Sequence, residues 1–134
     1  MSEQMPKQFS VGTIVSTDLT TENAEHVRDF YEQVIGWEPE ELPMEDQEGK
    51  YADYVMKDAA GNWMGGVCHR RGMNADMPAG WMVYINVTDI ATSVERCVAL
   101  GGKVIKQVQG EDGTPYYAVI QDPAGAILGL TKTG

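Results

Sequence analysis

Asp18, His69 and Cys68 are the side chains whose types and settings come closest to chemistry. Asp18 lies at the end of Phe9–Leu19, a run rich in Val, Ile and Thr. Such a run suits a strand, and a carboxylate turned inward from it must find a partner or solvent. Cys68 and His69 are adjacent at the end of a second strand-like run, Trp63–His69. Neighbours on a strand point to opposite faces, so the two cannot form a direct nucleophile–base pair. Asp18 and His69 are therefore separate candidates for acid–base work. Cys97 falls on the apolar side of a helical segment and reads as packing. His26 falls in a charged helical turn and reads as solvent-exposed. The two cysteines have no CxxC spacing and no paired histidines, which argues against both a zinc framework and a disulfide scaffold. Gly65-Gly66 is followed by neither Lys-Ser/Thr nor a helix, so it is no phosphate loop.

The bulk properties narrow the field further. A chain of 134 residues with a formal net charge of −10 is one compact domain or two small modules sharing a core. Its acidity argues against nucleic acid and anionic membrane as partners. Part of that charge is local: Glu38, Glu40, Glu41, Glu45, Asp46 and Glu48 read as one solvated polar loop. Residues 1–8 are polar, without an apolar signal core, and read as a loose tail. No run reaches membrane-spanning length. The expected location is the cytoplasm.

The elements that must hold these side chains come in a repeated order. Phe9–Leu19 is a strand. Thr20-Thr21-Glu22-Asn23 caps a helix whose Ala24, Val27, Phe30, Tyr31 and Val34 share a face, and Gly36 ends it. Trp37–Leu42 is a short strand, placed at an edge by Pro39. Tyr51–Lys57 and Trp63–His69 form a hairpin across Asp58-Ala-Ala-Gly61. Residues 70–80 are polar, contain Gly and Pro, and read as a linker. Trp81–Val87 is a strand, and Thr88-Asp89 caps a helix bearing Ile90, Val94, Cys97 and Val98 on one face. Lys103–Val108 is a strand, and Tyr116–Leu130 is a closing hairpin across Asp122-Pro-Ala-Gly125. Strand, helix and three strands thus occur twice, in a first module at 9–69 and a second at 81–134.

Two βαβββ units with these landmarks resemble the vicinal oxygen chelate superfamily, which includes glyoxalase I, bleomycin-resistance proteins and extradiol dioxygenases. The resemblance rests on Arg28-Asp-Phe-Tyr-Glu-Gln-Val-Ile-Gly-Trp37, Val87-Thr-Asp-Ile90, Leu100-Gly-Gly102 and Asp122-Pro-Ala-Gly125. It implies an α+β fold of two βαβββ modules, whose curved mixed sheets surround a cavity with the helices outside. It also implies a homodimer. In members that use a metal, His and Glu ligands come from the first and last strand of each module. The corresponding positions here are Ser16, Met82, Gly129 and Gly65, or Gly66 if the first turn holds an extra residue. A hydroxyl, a thioether and two hydrogens do not make the donor set such an ion takes. No metal and no other cofactor are therefore expected.

If positions 16 and 82 face the cavity, strand alternation turns Asp18, Thr20, Tyr84 and Asn86 the same way. Val83, Ile85 and Val87 then form the aliphatic face under a helix. Pairing across the two turns adds Tyr54, Met56, Trp63, Tyr116, Ala118, Ile120 and Ile127, with His69 at the strand end. The expected ligand-binding set is Ser16, Asp18, Tyr54, Trp63, Met82, Tyr84, Asn86 and Tyr116. The glycines leave room at the vacant centre for a ligand. Aromatic faces beside a carboxylate suit a cationic or aromatic small molecule. The expected function is metal-independent binding of such a molecule. Its alternative is a metal-independent lyase, isomerase or hydrolase using Asp18 or His69.

Overall fold

The computed structural model describes residues 9–132; the tail expected at 1–8 lies outside them. Two compact units divide the chain, one spanning Ser16–Trp81 and the other combining residues 9–15 with 82–132. Each carries one helix and four strands, so the fold is α+β with the βαβββ order present twice.

In the first unit, β1 (Ile14–Thr21) leads to α1 (Ala24–Ile35), followed by β2 (Glu38–Asp46), β3 (Gly49–Lys57) and β4 (Trp63–His69). The strands lie in the order β2-β3-β4-β1. β1 runs parallel to β4, as a strand–helix crossover requires. The hairpins β2/β3 and β3/β4 are antiparallel. Gly36 closes α1 in the left-handed conformation, φ 91°, with its N–H donating to the Glu32 carbonyl. Buried Ala24 lets α1 approach the sheet closely. It packs with Leu19, Tyr54, Met56 and Val67, flanked by Val27, Tyr31, Trp37 and Ala52.

The acidic stretch is not a loop. Glu38–Asp46 pairs along its whole length with β3, from Glu38 opposite Lys57 to Asp46 opposite Gly49. Pro39 and Pro43 lie four residues apart, so both missing N–H groups fall on the same side of the strand. At an edge that side needs no hydrogen bonds. The acidic side chains find cations: Lys57 Nζ is 2.7 Å from Glu40, and the Arg71 guanidinium makes two 2.7 Å bonds to Asp46. Charge-run reasoning missed this because it weighs solvation and not cross-strand partners.

In the second unit, β5 (Gly80–Asn86), α2 (Ile90–Ala99), β6 (Lys103–Gln109), β7 (Pro115–Gln121) and β8 (Ile127–Thr131) repeat the order. β5 pairs parallel with β8, which continues antiparallel to β7 and then β6. Asp89 caps α2 by accepting the Thr92 N–H at 3.1 Å.

Both Asp-turns close alike. The Asp58 N–H donates to the Asn62 carbonyl at 2.9 Å, and the Asp122 N–H to the Ala126 carbonyl at 2.8 Å. Each turn therefore holds three residues between its closing pair, with Gly61 and Gly125 at positive φ. The sequence reading counted four. One residue of difference reverses the faces of β3 and β7.

Candidate functional site

The site is built on the face of the first sheet opposite α1. Parallel pairing sets Asp18 beside Gly66 and Thr20 beside Cys68. Antiparallel pairing sets Val55 beside Gly66. Asp53, two residues before Val55, shares that face by alternation. Asp18, Asp53, Thr20 and Cys68 thus gather on one surface, with Asp53 and Thr20 buried.

Gly66 is what lets Asp18 lie down. A Cβ there would come within 2.7 Å of Asp18 Oδ1. Burial pushes the Asp18 carboxyl above its ordinary range, a hydrogen bond from the Gly66 backbone pulls it back, and nearby Asp53 raises it again. Burial, with Asp18 and Asp53 adding to it, pushes the Cys68 thiol up to about 12. That is the opposite of an activated nucleophile. Asp53 is held from behind: its Oδ1 accepts the His69 backbone N–H at 2.8 Å. The same oxygen lies 3.4 Å from His69 Nδ1, within ion-pair range but outside hydrogen-bonding geometry.

The second unit carries an equivalent arrangement. Tyr84 pairs with Gly129, which pairs with Val119. A Cβ on Gly129 would fall 2.2 Å from Tyr84 Cδ1 and 2.4 Å from Cε1, so the ring lies over the glycine. Tyr117 stands edge-on to that ring, centroids 6.4 Å apart. The room expected above the two glycines is thus taken, by Asp18 in one unit and Tyr84 in the other. The first-unit glycine is Gly66 and not Gly65, because β3 slips by one residue against β4 between Met56 and Lys57.

Several expected site residues stand elsewhere. Tyr54 and Met56 pack against the helix side, in the α1 core. His69 falls on that side too, its ring 6.3 Å from that of Tyr54 and 5.5 Å from that of Tyr51. Trp63 and Tyr116 are largely exposed, at 68% and 66%, and Ser16 is exposed. Ala118 and Ile120 pair with Leu130 and Leu128, off the Tyr84 face. Asn86 is buried, and its amide donates to the Phe9 and Ser10 carbonyls. Met82 is buried in the second unit. Asp53 went unnoticed in the sequence, although the three-residue turn would have placed it beside Asp18.

The metal positions that the resemblance implies can now be tested on chemistry. Ser16, Gly66, Met82 and Gly129 offer one hydroxyl and one thioether, and the glycines carry other side chains over them. This donor set does not fit a divalent ion. Among the described residues no three of His, Cys, Asp and Glu gather as a metal site.

Twice-repeated βαβββ units, each with a parallel first–last strand pair, define the vicinal oxygen chelate class. The glyoxalase-like domain family matches residues 15–131, and the chain belongs to it. The CFP32 proteins of Mycobacterium tuberculosis and Mycobacterium bovis, described as glyoxylase candidates, are each 31% identical over 121 residues. That match takes in 90% of this chain but only 44% of either relative. Two solved structures share the fold. Streptomyces coelicolor methylmalonyl-CoA epimerase, in complex with 2-nitronate-propionyl-CoA, has a TM-score of 0.52 at 13% identity, covering 93% of this chain and 99% of its own. A hypothetical protein of Bacillus halodurans has a TM-score of 0.53 at 14% identity, covering 93% and 96%. No helix among the described residues is long and apolar enough to cross a membrane.

Proposed function

We propose that this glyoxalase-like protein works without a metal and binds a small organic cation, such as an amine, on the Asp18 face. The observation that carries this reading is the gathering of Asp18 and Asp53 on one largely buried surface. The charge acting on Asp18 there is another carboxylate. A buried acidic pair gains most from a bound positive charge, which relieves both desolvation and mutual repulsion. Cys68 and Thr20 supply the neutral remainder of the surface. The proposed ligand-binding residues are Asp18, Asp53 and Thr20. A homodimer belongs to the same reading, motivated by exposed Phe30, Val34 and Trp81, and is tested by sedimentation at micromolar concentration.

A second reading has the raised Asp18 carboxyl as its support. A carboxylic acid held above its usual range beside a second carboxylate is suited to proton transfer. In that reading Asp18 takes a proton from a carbon or oxygen acid, whose electron pair stays on the substrate.

The test is Asp18→Asn, screened by thermal shift and calorimetry against pairs of amines and their neutral isosteres. Amines should lose about 1–3 kcal/mol of binding energy, the cost of leaving a charged group without its partner. Neutral isosteres should lose little. Stability should respond in a defined direction. The folded Asp18 carboxyl has a raised pKa, so folding is penalised as pH rises from its unfolded value through its folded one. Asn carries no such penalty. The variant should therefore gain on the wild type, in urea midpoints, between acidic and neutral pH. Equal amine affinities in wild type and variant, with a variant that unfolds far more easily, would make Asp18 a structural residue and end the proposal.

A further inference from the structure

Acidic residues dominate β2, yet two apolar side chains interrupt it on one face. Register fixes which face that is. Leu42 stands opposite Asp53, Met44 opposite Tyr51 and Glu40 opposite Val55. Residues paired across antiparallel strands share a face. Leu42 and Met44 therefore lie on the same side of the sheet as Asp18 and Asp53. Val55 lies there too, with Gly66 on its other side. Leu42 is 47% exposed, and Met44 and Val55 are half-buried. A lone exposed leucine is ordinary, but three apolar side chains in adjoining positions beside two carboxylates make a ledge.

The charges at the ends of this ledge are already matched. Glu40 and Asp46 flank Leu42 and Met44 on the same face. Glu40 is 2.7 Å from Lys57 Nζ, and Asp46 holds the Arg71 guanidinium with two 2.7 Å bonds. Both end carboxylates thus have cations of their own, and a positive ligand meets Asp18 and Asp53 instead. The Asp18 carboxylate lies over Gly66. From Gly66 the ledge is one strand away at Val55 and two strands away at Leu42, about 12 Å with the stagger along the strands included. An extended alkylammonium of roughly eight carbons spans that distance.

We infer that the ligand of the Asp18 face is an aliphatic primary amine whose arm lies on Val55, Leu42 and Met44; this rests on the cation reading given above and names the class of cation. A primary ammonium has three N–H donors, which Asp18, Asp53 and the Thr20 hydroxyl can accept, whereas a quaternary ammonium has none to give. Methionine adapts its shape to what lies on it, so Met44 suits the free end of the arm. An arm that carries polar atoms would lose water on this ledge and gain no partner there.

The probes are propylamine, hexylamine and octylamine. Octanol supplies the arm without the charge, and a diether amine of similar length supplies the charge with a polar arm. On an open ledge each methylene is about half buried and should tighten binding about twofold, so octylamine should bind roughly 30-fold more tightly than propylamine. In wild-type protein the Leu42 and Val55 methyl signals should move with octylamine and stay with propylamine. Leu42→Ser should remove about fivefold of the gain and leave propylamine as it was. Asp18→Asn should weaken every amine by the same factor. The wild-type methyl shifts keep the test independent of how either variant folds. If propylamine binds in an Asp18-dependent way and chain length changes nothing, the aliphatic arm is refuted while the cation reading stands. Octanol or the diether amine binding as tightly as octylamine would overturn the inference. So would the failure of every amine to bind, which ends the cation reading with it.

Discussion

Replacing Gly129 by Ala tests the reading of the second unit directly. Gly129 is not at positive φ, so the substitution asks only about space. The new Cβ would stand 2.2, 2.4 and 3.1 Å from three atoms of the Tyr84 ring. Ordinary carbon contacts lie near 3.5–4.0 Å, so the ring must retreat by more than an ångström. Tyr117 stands edge-on beside it and limits the directions available. Overpacking of this kind costs about 1–3 kcal/mol. Disturbing the aromatic pair adds roughly 0.5–1.5 kcal/mol. For a chain of this length the melting temperature should fall by roughly 5–16 °C. The assay is a double-mutant cycle in urea with Tyr84→Ala as the second change. With the ring gone, Gly129→Ala should be neutral or slightly stabilising, because alanine is less flexible than glycine in a strand. An equal loss in both backgrounds would refute the claim that Gly129 exists to seat Tyr84. The occupied ligand position would then need another explanation.

Two further expectations concern single groups. Cys68, pushed up to about 12 by burial and two carboxylates, should resist alkylation at mildly alkaline pH in the folded protein and react at once in denaturant, as read by peptide mass mapping. Asp46 is held down at about 2, first by its hydrogen bonds from Arg71. A depressed folded pKa contributes stability that is present above the unfolded value of 3.8 and is lost as pH falls through about 2. Arg71→Gln should return the Asp46 carboxyl toward its usual range in an NMR titration, and high salt should partly mimic the change.

The order of elements was legible in the sequence because it is written in strong, local signals. Helical spacing from Ala24 to Val34, glycine at Gly36, the Asp89 cap and two Asp-to-Gly turns each specify their own surroundings, and together they specify the repeat. The β1 alternation was also correct in turning Asp18 and Thr20 to one face. The partner strands were not legible, because a face depends on the parity of the turn before it. Asp58-Ala-Ala-Gly61 reads as four residues. Its closing bond runs from Asp58 to Asn62, which leaves three. The bulge at Met56/Lys57 has no sequence signature at all, since it arises only where two strands are matched. Tyr54 was therefore assigned to the wrong side and Asp53 was overlooked.

That error has a physical moral for the site itself. The two units use the same device with different chemistry: a first-strand side chain lies over a last-strand glycine. In the first unit the side chain is a carboxylate, in the second a phenol ring. Neither glycine could be exchanged for a histidine or glutamate without displacing the group above it, since even a Cβ comes within 2.7 Å of Asp18 and 2.2 Å of Tyr84. Restoring a metal ligand at either position would require a matching loss on the first strand. The glycines and their covering side chains therefore form coupled pairs. Gly66→Ala should accordingly destabilise the wild type, because its Cβ meets Asp18, and should be close to neutral in an Asp18→Gly background. An equal loss in both backgrounds, read from urea midpoints, would show that the pairs are independent.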